Sequence, residues 1–215
     1  MSARILRAAI AAAALAGPAA AQQFSLGAGA AGGTYQEQGT SLAFTGWGPA
    51  IAGTAAWQRY SLRLDAFRIS YSPTSSSTGA EPFDLTQFDA RARYSIDSTW
   101  TLEAGYRQQN IAPADAAQGL RVIPVGGRVN FALAPGAKIT AFADYLAAAK
   151  FSGGGSAPFA MEVGMSAFYA PGAGALRFTM DYAFDRIDRE TTSSSGTIQV
   201  PIQSSVVQLG VALEF

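Results

Sequence analysis

The sequence predicts an all-β protein, a transmembrane antiparallel up-and-down β-barrel of ten strands with a polar, charged lumen. Apolar side chains recur at every second position along ten segments, which is the period of a β-strand. The charged side chains of these segments fall on the opposite phase. The connections alternate between short and long, as they do in barrels that span a membrane. Eight strands is the alternative, reached if the first two segments pair differently or if two segments fuse.

The low content of charged residues is typical of a protein whose surface contacts lipid. Charged residues make up 14% of the 215 residues, whereas a soluble domain usually carries about 25%. The formal net charge of +0 gives no reason to expect a nucleic-acid partner, which requires a basic stripe. The chain has no Cys and no His, so neither thiolate nor imidazole is available to a metal or to general-base chemistry. No cofactor or metal site is predicted.

The first 21 residues are interpreted as a secretory signal peptide. Arg4 and Arg7 supply its positive region, residues 8–16 form a short apolar run, and residues 19–21 are alanines that suit signal cleavage. The apolar run is shorter than the roughly 20 residues that a spanning helix needs. We therefore expect residues 1–21 to be removed and residues 22–215 to form the exported barrel.

The ten segments follow in order, separated by residues that favour turns. The second segment contains Pro49 and several Gly, which makes it the weakest strand prediction. Short turns are predicted at residues 58–59, 97–99, 134–136 and 171–174, and loops of about ten residues at 71–82, 110–119, 150–158 and 188–197. In chain order, the apolar faces begin at Phe24, Trp47, Tyr60, Phe88, Trp100, Ile123, Ile139, Met161, Leu176 and Val207.

Charges of both signs occupy the polar face of the segments. A cation facing lipid at mid-membrane costs about 2–4 kcal/mol, so this sorting predicts a charged lumen. Arg68 has the outward phase, but at the outer end of its segment. Five of the lumen charges lie on three consecutive segments and could form one network: Arg63, Asp65, Asp89, Arg91 and Glu103. The other predicted lumen charges are Arg93, Arg107, Arg128, Lys138, Asp144, Glu162, Arg177, Asp181 and Asp185.

Aromatic side chains concentrate near both ends of the segments, as in the interfacial girdles of membrane barrels. Near the short turns they are Trp57, Tyr60, Tyr94, Trp100, Tyr169 and Phe215, and near the long loops Trp47, Tyr106, Tyr145 and Phe184.

The last segment has one continuous apolar face and ends the chain on an aromatic residue; its members are Val207, Leu209, Val211, Leu213 and Phe215. This ending resembles the C-terminal strand of small, porin-like outer-membrane β-barrel proteins of Gram-negative bacteria, whose last residue is typically Phe and serves as an assembly signal. The resemblance implies a bacterial outer-membrane location and contact with lipid and lipopolysaccharide. It also implies recognition of this strand by the barrel assembly machinery.

Enzymatic function is not predicted. Barrel proteases of the omptin family need an Asp–His pair, and although Asp84, Asp185 and Asp188 are expected near the outer rim, the chain has no His. Two readings of the lumen stay open. Paired charges could plug a structural barrel, or they could leave a narrow channel for ions or small solutes. An adhesive or ligand-binding barrel is the alternative, although the loops are mainly Ser, Gly, Ala and Thr.

Overall fold

The computed structural model describes residues 22–38, 40, 42–74, 77, 79–113, 116–193 and 196–215. The predicted signal peptide lies outside these residues and stays a prediction. No helix within the described ranges is long and apolar enough to cross a membrane.

Ten antiparallel strands form one closed barrel, which confirms the predicted fold class and strand count. A 3₁₀ turn, Ala116–Gln118, lies between the fifth and sixth strands. The strands are β1 (Gln22–Glu37), β2 (Ala43–Trp57), β3 (Tyr60–Pro73), β4 (Phe83–Ser95), β5 (Trp100–Pro113), β6 (Leu120–Ala134), β7 (Ala137–Phe151), β8 (Ser156–Tyr169), β9 (Leu176–Ser193) and β10 (Gly196–Glu214).

The barrel closes where β10 pairs with β1. Gly29 lies opposite Gly210 within this seam. At the end of the chain the Phe215 N–H donates to the Phe24 carbonyl at 2.8 Å, and the Phe24 N–H donates to the Phe215 carbonyl at 3.3 Å. Closure pairs the edge strands, which a sheet in hydrocarbon requires because no water is present to satisfy its backbone.

The outward face is apolar, with the phase that the sequence predicts. Trp47 is 76% exposed and Phe215 is 75% exposed, while charged side chains of other strands, such as Asp89 and Glu103, are buried. Aromatic side chains are exposed near the short turns and near the opposite ends of the strands. Such a surface is stable only against lipid.

The connections that follow odd-numbered strands are shorter than predicted. They comprise residues 38–42, 74–82, 114–119, 152–155 and 194–195, against 58–59, 96–99, 135–136 and 170–175 at the other end. Much of the predicted loop at 188–197 is strand, since Asp188 pairs with Pro201 and Thr191 with Ile198. The ladder extends through polar residues because backbone hydrogen bonding depends on register rather than on side-chain polarity.

The filled lumen as the candidate functional site

The lumen contains two layers of different chemistry. The sequence pattern predicts charges along the whole polar face, but the structure places the large charge clusters at the middle of the barrel and in the half near the short turns. Near the opposite ends of the strands, the inward positions are mainly apolar. These positions continue the inward phase beyond the charges, as Phe67, Ile69 and Tyr71 do after Arg63 and Asp65.

Four aromatic rings form the centre of the apolar layer. The Phe83 ring centroid lies 4.9 Å from that of Phe44, 5.1 Å from that of Tyr71 and 5.3 Å from that of Tyr35. Tyr71 is only 1% exposed. Edge-to-face and tilted packing of this kind stabilises aromatic cores beyond simple area burial. Aliphatic side chains complete the layer: Ile69, Leu85, Ile111, Leu120, Val122, Leu146, Ile187 and Ile202.

Arg91 spans the charged layer. Its guanidinium donates to both carboxylate oxygens of Asp89, at 2.5 and 2.9 Å, two positions away on β4. It also reaches β7 and β8, donating to Asp144 at 2.5 Å and to Glu162 at 2.7 Å. All four side chains are buried. Charge-assisted hydrogen bonds of this geometry are the strong class, and here they tie separate strands together.

Arg107 on β5 forms a second span beside the first. It donates to Asp89 at 2.7 Å and to Glu162 at 2.5 Å. It also contacts both oxygens of Asp185 on β9, at 3.1 and 3.2 Å. The two guanidiniums therefore share Asp89 and Glu162, and one cluster connects five strands.

The register explains why these arginines are held in place. Asp144 lies directly opposite Glu162, and Glu162 directly opposite Asp185. Three neighbouring carboxylates would repel one another, and a guanidinium between each pair offsets that repulsion.

Two smaller clusters flank the central one. Arg63 pairs with Asp65 at 2.8 Å and with Asp181 at 2.9 Å. Asp181 also accepts a 2.5 Å hydrogen bond from Ser166. In the other cluster, Glu103 binds Arg93 at 2.8 Å and Arg128 at 2.9 Å. The Arg128 guanidinium lies 4.5 Å from the centre of the Phe142 ring, a cation–π contact.

The single network envisaged for the charges of β3, β4 and β5 is therefore divided. The register sets Arg63 opposite Arg91 and Asp65 opposite Asp89, so like charges face each other between β3 and β4. Each arginine instead pairs along its own strand and with a strand of the far wall. Glu103 joins a different pair of arginines.

The remaining predicted charges lie apart from these clusters. Arg177 pairs with Glu214 at 2.6 Å near the short turns. Lys138 forms no ion pair within the described part of the chain, and its ammonium lies 6.0 Å from the Phe168 ring centre. On the outer face, Arg68 pairs with Asp84 at 2.6 Å, consistent with its outward phase.

Inward-facing glycines create the space that the large side chains occupy. A Cβ at Gly105 would lie 2.6 Å from Cδ of Arg91, and one at Gly164 would lie 2.5 Å from the Phe142 ring. A Cβ at Gly126 would collide with the Asp144 carboxylate.

Arg189 is an interior residue that sequence reasoning missed, since it was assigned to a loop. It is buried, and it donates to Gln118 Oε1 at 2.6 Å and to the Gly154 carbonyl at 2.9 Å. Gln118 in turn donates to Glu37 at 2.7 Å. Extending the inward phase of β9 from Asp185 by four residues would have found it.

Small cavities remain beside the charge clusters. One of about 70 Å³ and another of about 60 Å³ are both lined by Arg63, Asp181 and Gln208. The second also touches small residues of β1 and β2, including Gly27 and Ala52. Among the described residues no group of carboxylates is arranged to hold a metal ion.

The architecture is that of solved outer-membrane barrels. The outer membrane protease OmpT from Escherichia coli superposes with a TM-score of 0.56 at 10% identity, over 90% of this chain and 96% of that one. Neisserial surface protein A superposes with a TM-score of 0.44 at 16% identity, over 89% of this chain and 97% of that one. OprG from Pseudomonas aeruginosa superposes with a TM-score of 0.37 at 12% identity, over 91% of this chain and 96% of that one. No family model and no curated protein matches the chain.

At these sequence identities the likeness shows the fold alone. The evidence for the shared fold is the OmpT superposition. The fold includes a protease among its members, so it does not decide between catalytic and non-catalytic barrels. Together, the closed strand ladder and the apolar exterior make this chain a protein of the bacterial outer membrane.

Proposed function

We propose that the protein is a structural outer-membrane barrel whose lumen is sealed against bulk solute and whose outer surface contacts lipid. The observation that carries this proposal is the pair of spans made by Arg91 and Arg107, which connect β4 and β5 with β7, β8 and β9. A barrel of about eight strands is just filled by its side chains, and ten strands add little room.

The aromatic layer forms a second barrier in series with the charges. Hydrated ions would have to pass the rings of Phe44, Tyr71 and Phe83, each at most 2% exposed. Conduction therefore requires both layers to open.

We further propose that the protein has no enzymatic activity. The chain contains no His to activate water or Ser, and the likeness to OmpT extends only to the fold.

Conductance of the refolded mature chain in a planar bilayer tests the seal. We expect no discrete current steps from protein whose folding is checked by heat-modifiable migration in a gel. Steady steps whose size changes in Arg91→Ala and Glu103→Ala would overturn the sealed barrel and establish a pore lined by these charges.

A narrow channel is the second candidate, supported by the two cavities that share Arg63 and Asp181. Their ion pair lies beside the small-residue wall of β1 and β2, where least side-chain volume blocks a path. In this case Arg63→Ala raises conductance, and Arg68→Ala, on the outer face, leaves it unchanged. If neither the Arg63→Ala nor the Arg68→Ala protein gives current steps, the result counts against the channel.

We also propose that β10 is the strand that the barrel assembly machinery recognises. Support comes from its continuous outward row of apolar side chains: Val207, Leu209, Val211, Leu213 and Phe215.

A further inference from the structure

A β-bulge in β7 reverses the direction of its last side chains. The register between β6 and β7 shifts by one residue, because Ile123 pairs with Ala147 but Arg121 pairs with Lys150. Ala148 in the bulge has φ of 51°, a left-handed conformation that costs a non-glycine residue free energy. Bulges re-aim side chains. Without this one, Lys150 would share the inward phase of Leu146.

The bulge sets two cations side by side on the outer surface. Arg121 and Lys150 are exposed register partners, and neither forms an ion pair with any described residue. Like charges directly opposite each other on neighbouring strands are destabilising. The strained backbone places the two cations next to each other, and an anion bound between them would offset their repulsion.

Other outward cations in the outer halves of the strands are already neutralised. Arg68 pairs with Asp84 at 2.6 Å, and Arg186 pairs with Asp188 at 3.1 Å. Arg121 and Lys150 differ from both in having a second cation, rather than a carboxylate, as neighbour.

The position of the two cations identifies the anion. Along β6 the next outward residues are Ile123 and Val125, 46% and 48% exposed, which belong to the lipid-facing band. Arg121 and Lys150 thus lie at its outer edge. On the other side of Arg121, its register partner Gln108 donates to Asn110 at 3.1 Å, so the neighbouring surface is polar and uncharged. The short turns of outer-membrane barrels lie on the periplasmic side, so the opposite end, where Arg121 and Lys150 lie, is at the depth of headgroups in the outer leaflet.

We propose that Arg121 and Lys150 together bind a phosphate group of lipid A. The guanidinium supplies a bidentate fork and the ammonium a point charge, the two donor types that suit phosphate. The site is independent of the state of the lumen, since both side chains lie outside the barrel wall.

Lipid A retention by the purified mature protein, measured by native mass spectrometry in detergent, tests the site. The probes are lipid A carrying both phosphates and the same lipid after phosphatase treatment. The variant is Arg121→Gln combined with Lys150→Gln, and the matched control is Arg186→Gln. We expect the double variant to retain roughly tenfold less phosphorylated lipid A, the equivalent of one charge-assisted contact, and the control to match the wild type.

Three results would overturn the proposal. The folded double variant could retain as much phosphorylated lipid A as the wild type. The wild type could bind the dephosphorylated lipid, or phosphatidylglycerol, as well as it binds phosphorylated lipid A. Excess inorganic phosphate could displace the lipid completely, which would assign the site to free phosphate. Retention that falls only in the double variant and only for the phosphorylated glycolipid supports the site.

Discussion

The Arg91 guanidinium lies 2.7 Å from the Glu162 carboxylate, although the two residues belong to β4 and β8 on opposite sides of the barrel. Both side chains are almost fully buried, so each compensates a charge that would otherwise be isolated. A buried pair is weak evidence for net stability, but removing one partner leaves an uncompensated charge. The contact joins two opposite walls of the barrel, so its loss destabilises both β4 and β8.

Arg91→Ala should lower the free energy of unfolding by about 3–5 kcal/mol, because three carboxylates lose their shared cation in a buried site. The control Arg68→Ala removes an equally short ion pair from the outer surface, where the arginine side chain is 62% exposed, and should cost about 0–1 kcal/mol. Urea unfolding in lipid vesicles, followed by tryptophan fluorescence, measures both. Equal shifts would show that the lumen cluster does not stabilise the barrel.

Gly126→Ala should destabilise the barrel by about 1–3 kcal/mol, because the added methyl group overpacks the lumen against Asp144. Gly172→Ala is the matched control, since a Cβ there meets nothing within 4 Å. The same unfolding measurement compares them. A neutral Gly126→Ala would mean that the charge cluster can move aside.

The turn between β4 and β5 should depend on pH through Asp97. Its carboxylate accepts hydrogen bonds from the Trp100 and Thr99 N–H groups, both at 2.7 Å, and these bonds lower its pKa below the ordinary 3.8. The contribution of Asp97 to stability is therefore complete above that value and is lost as the pH falls through the lowered pKa. NMR titration of the carboxyl carbon measures the shift. Asp97→Asn should keep the turn and abolish the titration, whereas an unshifted Asp97 would mean that the two N–H groups are not bound in solution.

Phe215→Ala should reduce the amount of folded barrel in the outer membrane of expressing cells several-fold, while leaving refolding of the purified chain unchanged. The side chain is 75% exposed, and the backbone bonds between Phe215 and Phe24 do not need it. Phe178→Ala, another outward aromatic, is the control. Heat-modifiable migration of membrane fractions reports the folded amount. Equal losses in both variants would assign the effect to lipid contact rather than to an assembly signal.

Sequence periodicity was sufficient for the fold, because the direction of a side chain in a strand is a local property. Leu62 and Arg63 point to opposite faces whatever lies around them, and ten such segments predict the strand number and the apolar exterior. Locality also explains the failures. The phase of β9 continues to Arg189, but its polar composition reads as a loop, and only pairing with β10 shows a strand.

Along the regular stretches of the strands, periodicity by itself determined which side chains face the lumen and which face lipid. The tertiary structure decided what they meet there. Arg91 contacts Glu162 because closure of the barrel brings together residues that are 71 positions apart. Lys150 points outward because one bulge in β7 reverses the local phase. Register, closure and bulges depend on contacts between strands, which no single segment of the chain contains.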